Sequence, residues 1–258
     1  MSMGCYILCQ VKRAENPYYI EAVGVNIYSI EELCYYFCTD YPLLDRSILN
    51  ETLAEWLYGE LHLRQLARKL SAVLEQEFRI SEFVLPVLRE IFYLNQQEMK
   101  KLEEELQKLE EEPEPLRIKH KGDSLMAHEK YTKAIETYRE ALRLEKRGKL
   151  GVQFAGNLYN NLGCAYSRLF QMDEACSCFQ KAYEMLHTRD TLKSCLFAVY
   201  LRDGQEAYEQ MAGQMKVDPG TRQEMDRQIG EIVPKKRPAD LDQALACWTR
   251  AYHRNTGL

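Results

Sequence analysis

The sequence has few of the features that membrane, secreted or enzymatic proteins need. Its longest uninterrupted apolar run covers only residues 195–201, whereas a helix that spans a bilayer needs about 20 such residues. Residues 1–11 have no basic region ahead of an apolar one, as a secretory signal would have. We therefore expect a cytoplasmic protein that does not enter a membrane.

Motifs that carry chemistry are equally scarce. After Gly24 no glycine follows until Gly59, so a phosphate-binding glycine loop is missing, and no His-Glu-x-x-His, Gly-x-Ser-x-Gly or Cys-x-x-Cys occurs. One short basic run, residues 235–237, lies between prolines and is more typical of a solvated linker than of a phosphate contact. We expect no enzymatic activity, no cofactor and no nucleic-acid partner.

The charges are distributed unevenly along the chain. Residues 1–112 contain 11 Lys and Arg against 20 Asp and Glu, whereas residues 113–258 contain 23 against 19. Surface charge of this kind affects association rather than fold. Because the two parts of the chain have opposite net charges, two copies can attract each other, and a homo-oligomer is therefore kept as a hypothesis.

Nine cysteines are present, and those within helical patterns fit the role of small buried hydrophobic residues. Cys5 and Cys9, and likewise Cys34 and Cys38, recur at a spacing of four, so each pair can share a face of a strand or helix. A four-thiolate zinc site, which would make the N-terminal part a zinc-binding module, is therefore an alternative hypothesis. Paired Cys-x-x-Cys motifs are the usual donors, so we expect no metal.

The start of the chain is its only β-like part. Residues 5–11 and 18–28 are rich in Tyr, Ile and Val, and residues 14–17 have the composition of a turn, which predicts a small hairpin. Ser29 followed by Glu32 then predicts a helix start with a capping box.

Helical patterns continue to the two prolines Pro113 and Pro115. We predict helices over residues 51–58 and 63–77, and one long acidic helix from about residue 81 to residue 112. Prolines disfavour a helical residue before them, so an N-terminal α or α+β domain is predicted to end at residue 112.

Two later segments repeat one pattern. Gly122 and Gly163 are followed at identical offsets by residues of the same kind. The matched pairs are Leu125 and Tyr166, Tyr131 and Met172, Ala134 and Ala175, Ile135 and Cys176, Tyr138 and Phe179, and Ala141 and Ala182. Such a pattern predicts antiparallel helix pairs that bury their faces by stacking on neighbouring pairs.

At these residues the chain resembles the tetratricopeptide repeat family, most clearly over residues 157–185, NLYNNLGCAYSRLFQMDEACSCFQKAYEM. The resemblance implies a mainly all-α fold, an α-α superhelix of antiparallel helix pairs, over residues 115–220. Two units are clear, and a third is degenerate because Phe197 replaces the glycine.

Residues 221–258 are predicted to form C-terminal capping helices. The last of these has one apolar face, which consists of Leu241, Leu245, Trp248 and Tyr252. An exposed face of this kind promotes association, so we expect it to cover the open end of the solenoid.

The resemblance also implies a function, a non-enzymatic scaffold or adaptor that binds a peptide segment of a protein partner in the concave groove. The groove candidates carried over from the family are Lys119, Asp123, Asn157, Asn160, Asn161, Arg168 and Arg202, with Thr191 and Cys195 beside them. Asparagine both donates and accepts, so it can pair with any peptide backbone, and arginine can receive an acidic side chain. A regulator that senses a free peptide is the alternative.

Some family members clamp a partner's C-terminal carboxylate with Lys, Asn, Asn, Lys and Arg. Here Lys119 and Asn161 match, but Asp123 stands in place of an asparagine and Thr191 and Cys195 replace the last two residues. A carboxylate beside Asp123 would be repelled, so we expect no such clamp.

Overall fold

A computed structural model describes residues 13–145, 150–232 and 240–256 of the chain. Contacts divide the chain into two compact units, Met1–Pro113 and Glu114–Leu258. Both units are mainly helical, and no helix among the described residues is long and apolar enough to cross a membrane.

The first unit opens with a two-stranded antiparallel hairpin, β1 (Tyr18–Ile20) and β2 (Val25–Ile27). An N-terminal hairpin is therefore confirmed, but its position differs from the prediction: residues 18–28, expected to form one strand, form both strands, and the turn lies at residues 21–24 rather than 14–17. The chain reverses at Gly24, whose φ of 67° suits glycine and whose N–H donates to the Ile20 carbonyl at 2.8 Å. The strand predicted over residues 5–11 lies outside the described residues.

Five α-helices and one 3-10 helix follow in this unit. They are α1 (Ile30–Thr39), the 3-10 helix Tyr41–Leu43, α2 (Glu51–Gly59), α3 (Arg64–Leu74), α4 (Ile80–Glu90) and α5 (Gln96–Glu111). The capping box at the start of α1 is confirmed, because Ser29 Oγ accepts from the Glu32 N–H at 3.2 Å and Glu32 accepts back from the Ser29 N–H.

The single long helix expected over residues 81–112 is wrong, because α4 and α5 are separate. Phe92 adopts a left-handed backbone (φ 51°), and the N–H of Tyr93 donates to the Leu88 carbonyl at 3.0 Å, which ends α4. Asn95 then caps α5 by accepting from the Glu98 N–H at 2.9 Å. These two local signals outweigh the continuous apolar pattern.

Helix α1 packs on α4 although α2 and α3 lie between them in the chain. Cys34 of α1 is fully buried, and its Sγ lies 3.9 Å from the Val87 carbonyl. In a solenoid each unit contacts only its neighbours. Contacts in this unit therefore do not simply follow the order of the helices along the chain.

Eight helices form the described part of the second unit. They are α6 (Glu114–Ala127), α7 (Tyr131–Glu145), α8 (Gly151–Arg168), α9 (Met172–Leu186), α10 (Arg189–Asp203), α11 (Gln205–Gln214), α12 (Pro219–Ile232) and α13 (Leu241–Thr256). From α6 to α11 each helix packs on the next, which is the contact pattern of stacked helix pairs.

Close packing within the first two pairs depends on glycine. A Cβ added at Gly163 of α8 would lie 2.6 Å from ring carbons of Phe179 on α9, and Gly122 of α6 meets the ring of Tyr138 on α7 in the same way. The glycine and aromatic positions that repeat in the sequence are thus the points where paired helices touch, and the predicted helix pairs are confirmed.

The last two helices behave differently from each other. Thr221, Met225 and Ile229 of α12 are buried, and the two apolar ones lie in a cluster with Tyr208 and Leu196 of the preceding pair.

On α13, by contrast, all four residues of the apolar face are exposed, with relative accessibilities of 57% for Leu241, 47% for Leu245, 56% for Trp248 and 47% for Tyr252. The expectation that this face covers the end of the solenoid is wrong, since its large side chains remain in solvent.

Candidate functional site

Three of the predicted groove residues meet around the carboxylate of Asp123. Lys119 Nζ lies 2.6 Å from Oδ2, and Asn161 on α8 donates to Oδ1 at 2.9 Å. The hydroxyl of Tyr138 on α7 also donates to Oδ1, at 2.7 Å. Burial and the Asp123 carboxylate raise the pKa of Tyr138 above its ordinary value, which keeps the hydroxyl protonated as a donor.

These contacts with Asp123 join three helices and occupy the donor groups of Lys119, Tyr138 and Asn161. Lys119 and Asn161, the two residues that match the carboxylate clamp, are bound to a carboxylate of their own chain. A partner's C-terminal carboxylate would meet Asp123 at this point, so the geometry agrees with the expectation that no clamp forms. The sequence pattern did not indicate Tyr138 as a site residue, because its aromatic ring is already accounted for by helix packing.

Asn157, Asn160 and Arg168 form the rest of the candidate surface on α8. Asn157 and Arg168 are exposed and Asn160 is partly buried. The side chains of Asn157 and Asn160 make no hydrogen bond to other described residues, and Arg168 makes no ion pair with them. A helix turns roughly 100° per residue, so these residues share one side of α8 with Asn161.

The third unit does not contribute as predicted. Thr191 and Cys195 are 4% and 1% exposed, so neither reaches a surface. Leu196 is fully buried in the cluster with Tyr208, whereas Phe197 is only partly buried. The step from the second unit to the third is therefore 33 residues rather than 34, and one residue turns a helix by roughly 100°.

The same shift moves Arg202 away from the other candidates. Its guanidinium lies 2.7 Å from a carboxylate oxygen of Asp203 and 3.4 Å from one of Asp173 on α9. It lines a depression of about 400 Å³ formed by α9, α10 and α11, which none of the asparagine candidates lines. The structure thus brings together the α6 and α8 candidates but not Arg202.

A larger depression of about 810 Å³, which we call the outer trough, lies among α7, α8 and α9. Its apolar lining includes Leu142, Ala155, Leu162 and Met185, together with Tyr159 and Tyr166. On α8 the trough residues lie on the side opposite Asn157 and Asn161, as their helical spacing requires. Sequence reasoning missed it because the second helix of each pair was treated only as packing.

Two cations and a buried hydroxyl give the outer trough polar features. The Arg139 guanidinium lies 5.6 Å from the ring centroid of Tyr166, and Lys181 Nζ lies 5.3 Å from that of Tyr159. The Tyr166 hydroxyl is buried and has no hydrogen-bond partner among the described residues. Burial of such a group without a partner is costly, so the trough offers a donor to an occupant.

The cysteine pairs give no support to a zinc site. Burial raises the pKa of the Cys34 thiol well above its usual range and that of Cys38 to about 11, with Glu98 adding to the second shift. Zinc binds thiolates, so both thiols would have to lose a proton to bind it. Cys5 and Cys9 lie outside the described residues, and within the described part no three His, Cys, Asp or Glu side chains are grouped to hold a metal.

Comparison with known families agrees with the helix pairs. The family model described as tetratricopeptide repeat matches residues 120–147 and 156–185, which correspond to most of α6 with α7 and most of α8 with α9. A search of curated proteins and a search of solved structures found no match.

Proposed function

We propose that the chain is a non-enzymatic scaffold or adaptor, because residues 120–147 and 156–185 match the tetratricopeptide repeat and such repeats generally mediate protein–protein interactions. Its peptide-binding surface is the side of α8 that carries Asn157, Asn160 and Arg168, continued onto α6 at Asp123. The partner contributes an extended or helical segment.

The observation that carries this proposal is the hydrogen bond from Asn161 to Asp123. It ties α8 to α6, so the first helices of two repeats present one continuous polar surface. Asn157 and Asn160 lie on the same side of α8 as Asn161 and make no side-chain hydrogen bond to other described residues, and each can donate to and accept from a peptide backbone. Arg168 adds a preference for an acidic side chain.

Asp123 also limits what the surface accepts. Its carboxylate already takes Lys119, Asn161 and Tyr138 as donors, so a second carboxylate there lacks donors and is repelled. The segment bound is therefore internal to the partner rather than its C-terminus.

Affinity capture from native extract with mass spectrometry tests the proposal. The test protein is the full chain with Asn157→Ala, Asn160→Ala and Arg168→Ala combined. A matched control removes two glutamines and one arginine from α12, through Gln223→Ala, Gln228→Ala and Arg227→Ala. Partners held by the wild type and the control should be lost from the α8 variant, and equal capture by all three proteins would refute the surface.

A synthetic peptide from a captured partner then tests the role of Asp123. Titration calorimetry should give the same affinity for the peptide with a free C-terminal carboxylate and for its amide. Tighter binding of the free acid would show that the surface holds a carboxylate after all.

A further inference from the structure

Two features of the second unit take no part in the proposed function. One is the α13 face, which consists of Leu241, Leu245, Trp248 and Tyr252, and the other is the outer trough among α7, α8 and α9. The first is an exposed apolar stripe and the second an apolar depression of about 810 Å³. Large exposed apolar surfaces of this kind mark sites of association.

On helix α13 the partly buried side chains are small and the large apolar ones are exposed. Among its residues, Ala244 and Ala251 are partly buried while the four of the α13 face are exposed. The helix contacts α7, and Arg254 lies 3.6 Å from Glu129 in the turn before α7. In this position the α13 face does not line the outer trough of its own chain.

The two features match in length. The α13 face extends over eleven steps along the helix, from Leu241 to Tyr252, or about 16 Å. The trough follows α9 from Asp173 to Met185, twelve steps or about 18 Å. A helix laid along the trough would therefore place all four large side chains within it.

The charges at the two ends of the trough match those of α13 if the helix runs antiparallel to α9. Lys181 lies toward the end of α9 and makes no ion pair with other described residues. Asp240 and Asp242 lie at the start of α13, where they would meet Lys181.

At the opposite end of the trough the signs are reversed. Glu174 lies in the first turn of α9, and Arg250 lies in the second half of α13. Antiparallel packing therefore brings opposite charges together at both ends, and it also opposes the two helix dipoles favourably.

We propose that the α13 face of one copy of this chain seats in the outer trough of a second copy. Because both copies carry both surfaces, reciprocal exchange closes into a symmetric dimer with two such contacts. The Tyr166 hydroxyl, which has no partner among the described residues, then lies beneath the inserted helix. The contact uses α7, α9 and the side of α8 opposite Asn157 and Asn161, and it leaves the proposed peptide surface open.

Sedimentation velocity on the full chain over a range of concentrations tests the dimer. Wild-type protein should shift from monomer to dimer as concentration rises. Combined Leu245→Asp and Trp248→Ala on α13 should abolish the dimer, as should combined Arg139→Glu and Lys181→Glu in the trough. Circular dichroism establishes that each variant folds.

Ala246→Asp is the matched control, because it adds the same charge on the opposite, exposed side of α13, and it should leave the dimer intact. A mixture of the α13 variant with the trough variant keeps one complete contact, so it should form heterodimers that neither variant forms alone. Wild-type protein that stays monomeric at every concentration overturns the proposal. A dimer that survives either pair of substitutions, or a mixture that stays monomeric, overturns it as well.

Discussion

Asp123 has a larger structural role than its sequence context indicates. In the sequence it is a departure from a family asparagine, and the pattern alone predicts repulsion of a carboxylate. In the structure it accepts from Lys119, Tyr138 and Asn161, which come from three helices. Which side chains meet across helices depends on how the helices are rotated against one another, and a single sequence does not determine that rotation.

Replacing Asp123 should therefore weaken the packing of the first two repeats. Asp123→Ala leaves the Tyr138 hydroxyl and the Asn161 carboxamide without this acceptor, which costs about 1–3 kcal/mol. Asp123→Asn retains an acceptor at the same place and should cost less. Urea unfolding of both variants measures the difference, and equal losses would mean that the hydrogen bonds do not stabilise the fold.

The buried thiols are a second case in which surroundings decide a residue's behaviour. The sequence predicted that the cysteines in helical patterns are small buried residues, and Cys176 and Cys195 are buried. Cys247 lies in the same kind of pattern but is exposed. Helical periodicity places residues on a common face without showing what covers that face.

At the scale of single elements, helix starts were easier to predict than helix ends. Ser29 and Glu32 form the capping box that their types and spacing indicate. The end of α4 at Phe92 carried no such signal, because glycine is the usual residue in that left-handed position. The same difficulty appears in α10, where the register is shifted by one residue and Arg202 consequently lies in another depression.

One turn geometry recurs at four helix ends. The residue in the left-handed conformation is Phe92, Glu129, Phe170 or Lys216, and in each case the next N–H donates to the carbonyl five residues earlier. This is a Schellman-type end, which favours glycine. Phe92 and Phe170 are 87% and 80% exposed, so little packing offsets the backbone strain.

Glycine at such a turn should therefore stabilise the protein. Phe170→Gly relieves a left-handed backbone that costs a non-glycine residue roughly 1–2 kcal/mol, less the extra entropy that glycine loses on folding. The expected net gain in unfolding free energy is about 0.5–1 kcal/mol. Phe170→Ala removes the same ring without relieving the left-handed backbone and should give no gain. Equal stabilities of the two variants would show that this backbone conformation costs no free energy.

At the scale of the whole chain, the sequence predicts the fold class well, but it does not show which helix faces are buried by neighbouring elements. Glycine and aromatic residues at matched offsets predicted the helix pairs correctly, because close helix contact restricts those positions to few residue types. The face of α13 was correctly identified as apolar, but its exposure depends on where the helix lies. Likewise, no local sequence pattern indicates which of the helices α1 to α4 pack against each other.

The division of contacts at Pro113 leads to a prediction about folding. A fragment of residues 114–258 is the second compact unit and contains the described helices α6 to α13. It should fold alone, with helical circular dichroism and a cooperative thermal transition. A fragment that remains unfolded under native conditions would show that the first unit is required for the array to form.

The contacts of α12 with α10 and α11 restrict where a new helix pair can be inserted into this protein. Its Glu224 pairs with Lys193 at 2.7 Å and with Arg189 at 3.0 Å, and its Asp226 accepts from Tyr208 at 2.8 Å. A helix pair inserted after α11 would separate all of these partners at once. Duplication of the pairs between α6 and α9 leaves them together, so new repeats can be gained only on the upstream side of α10.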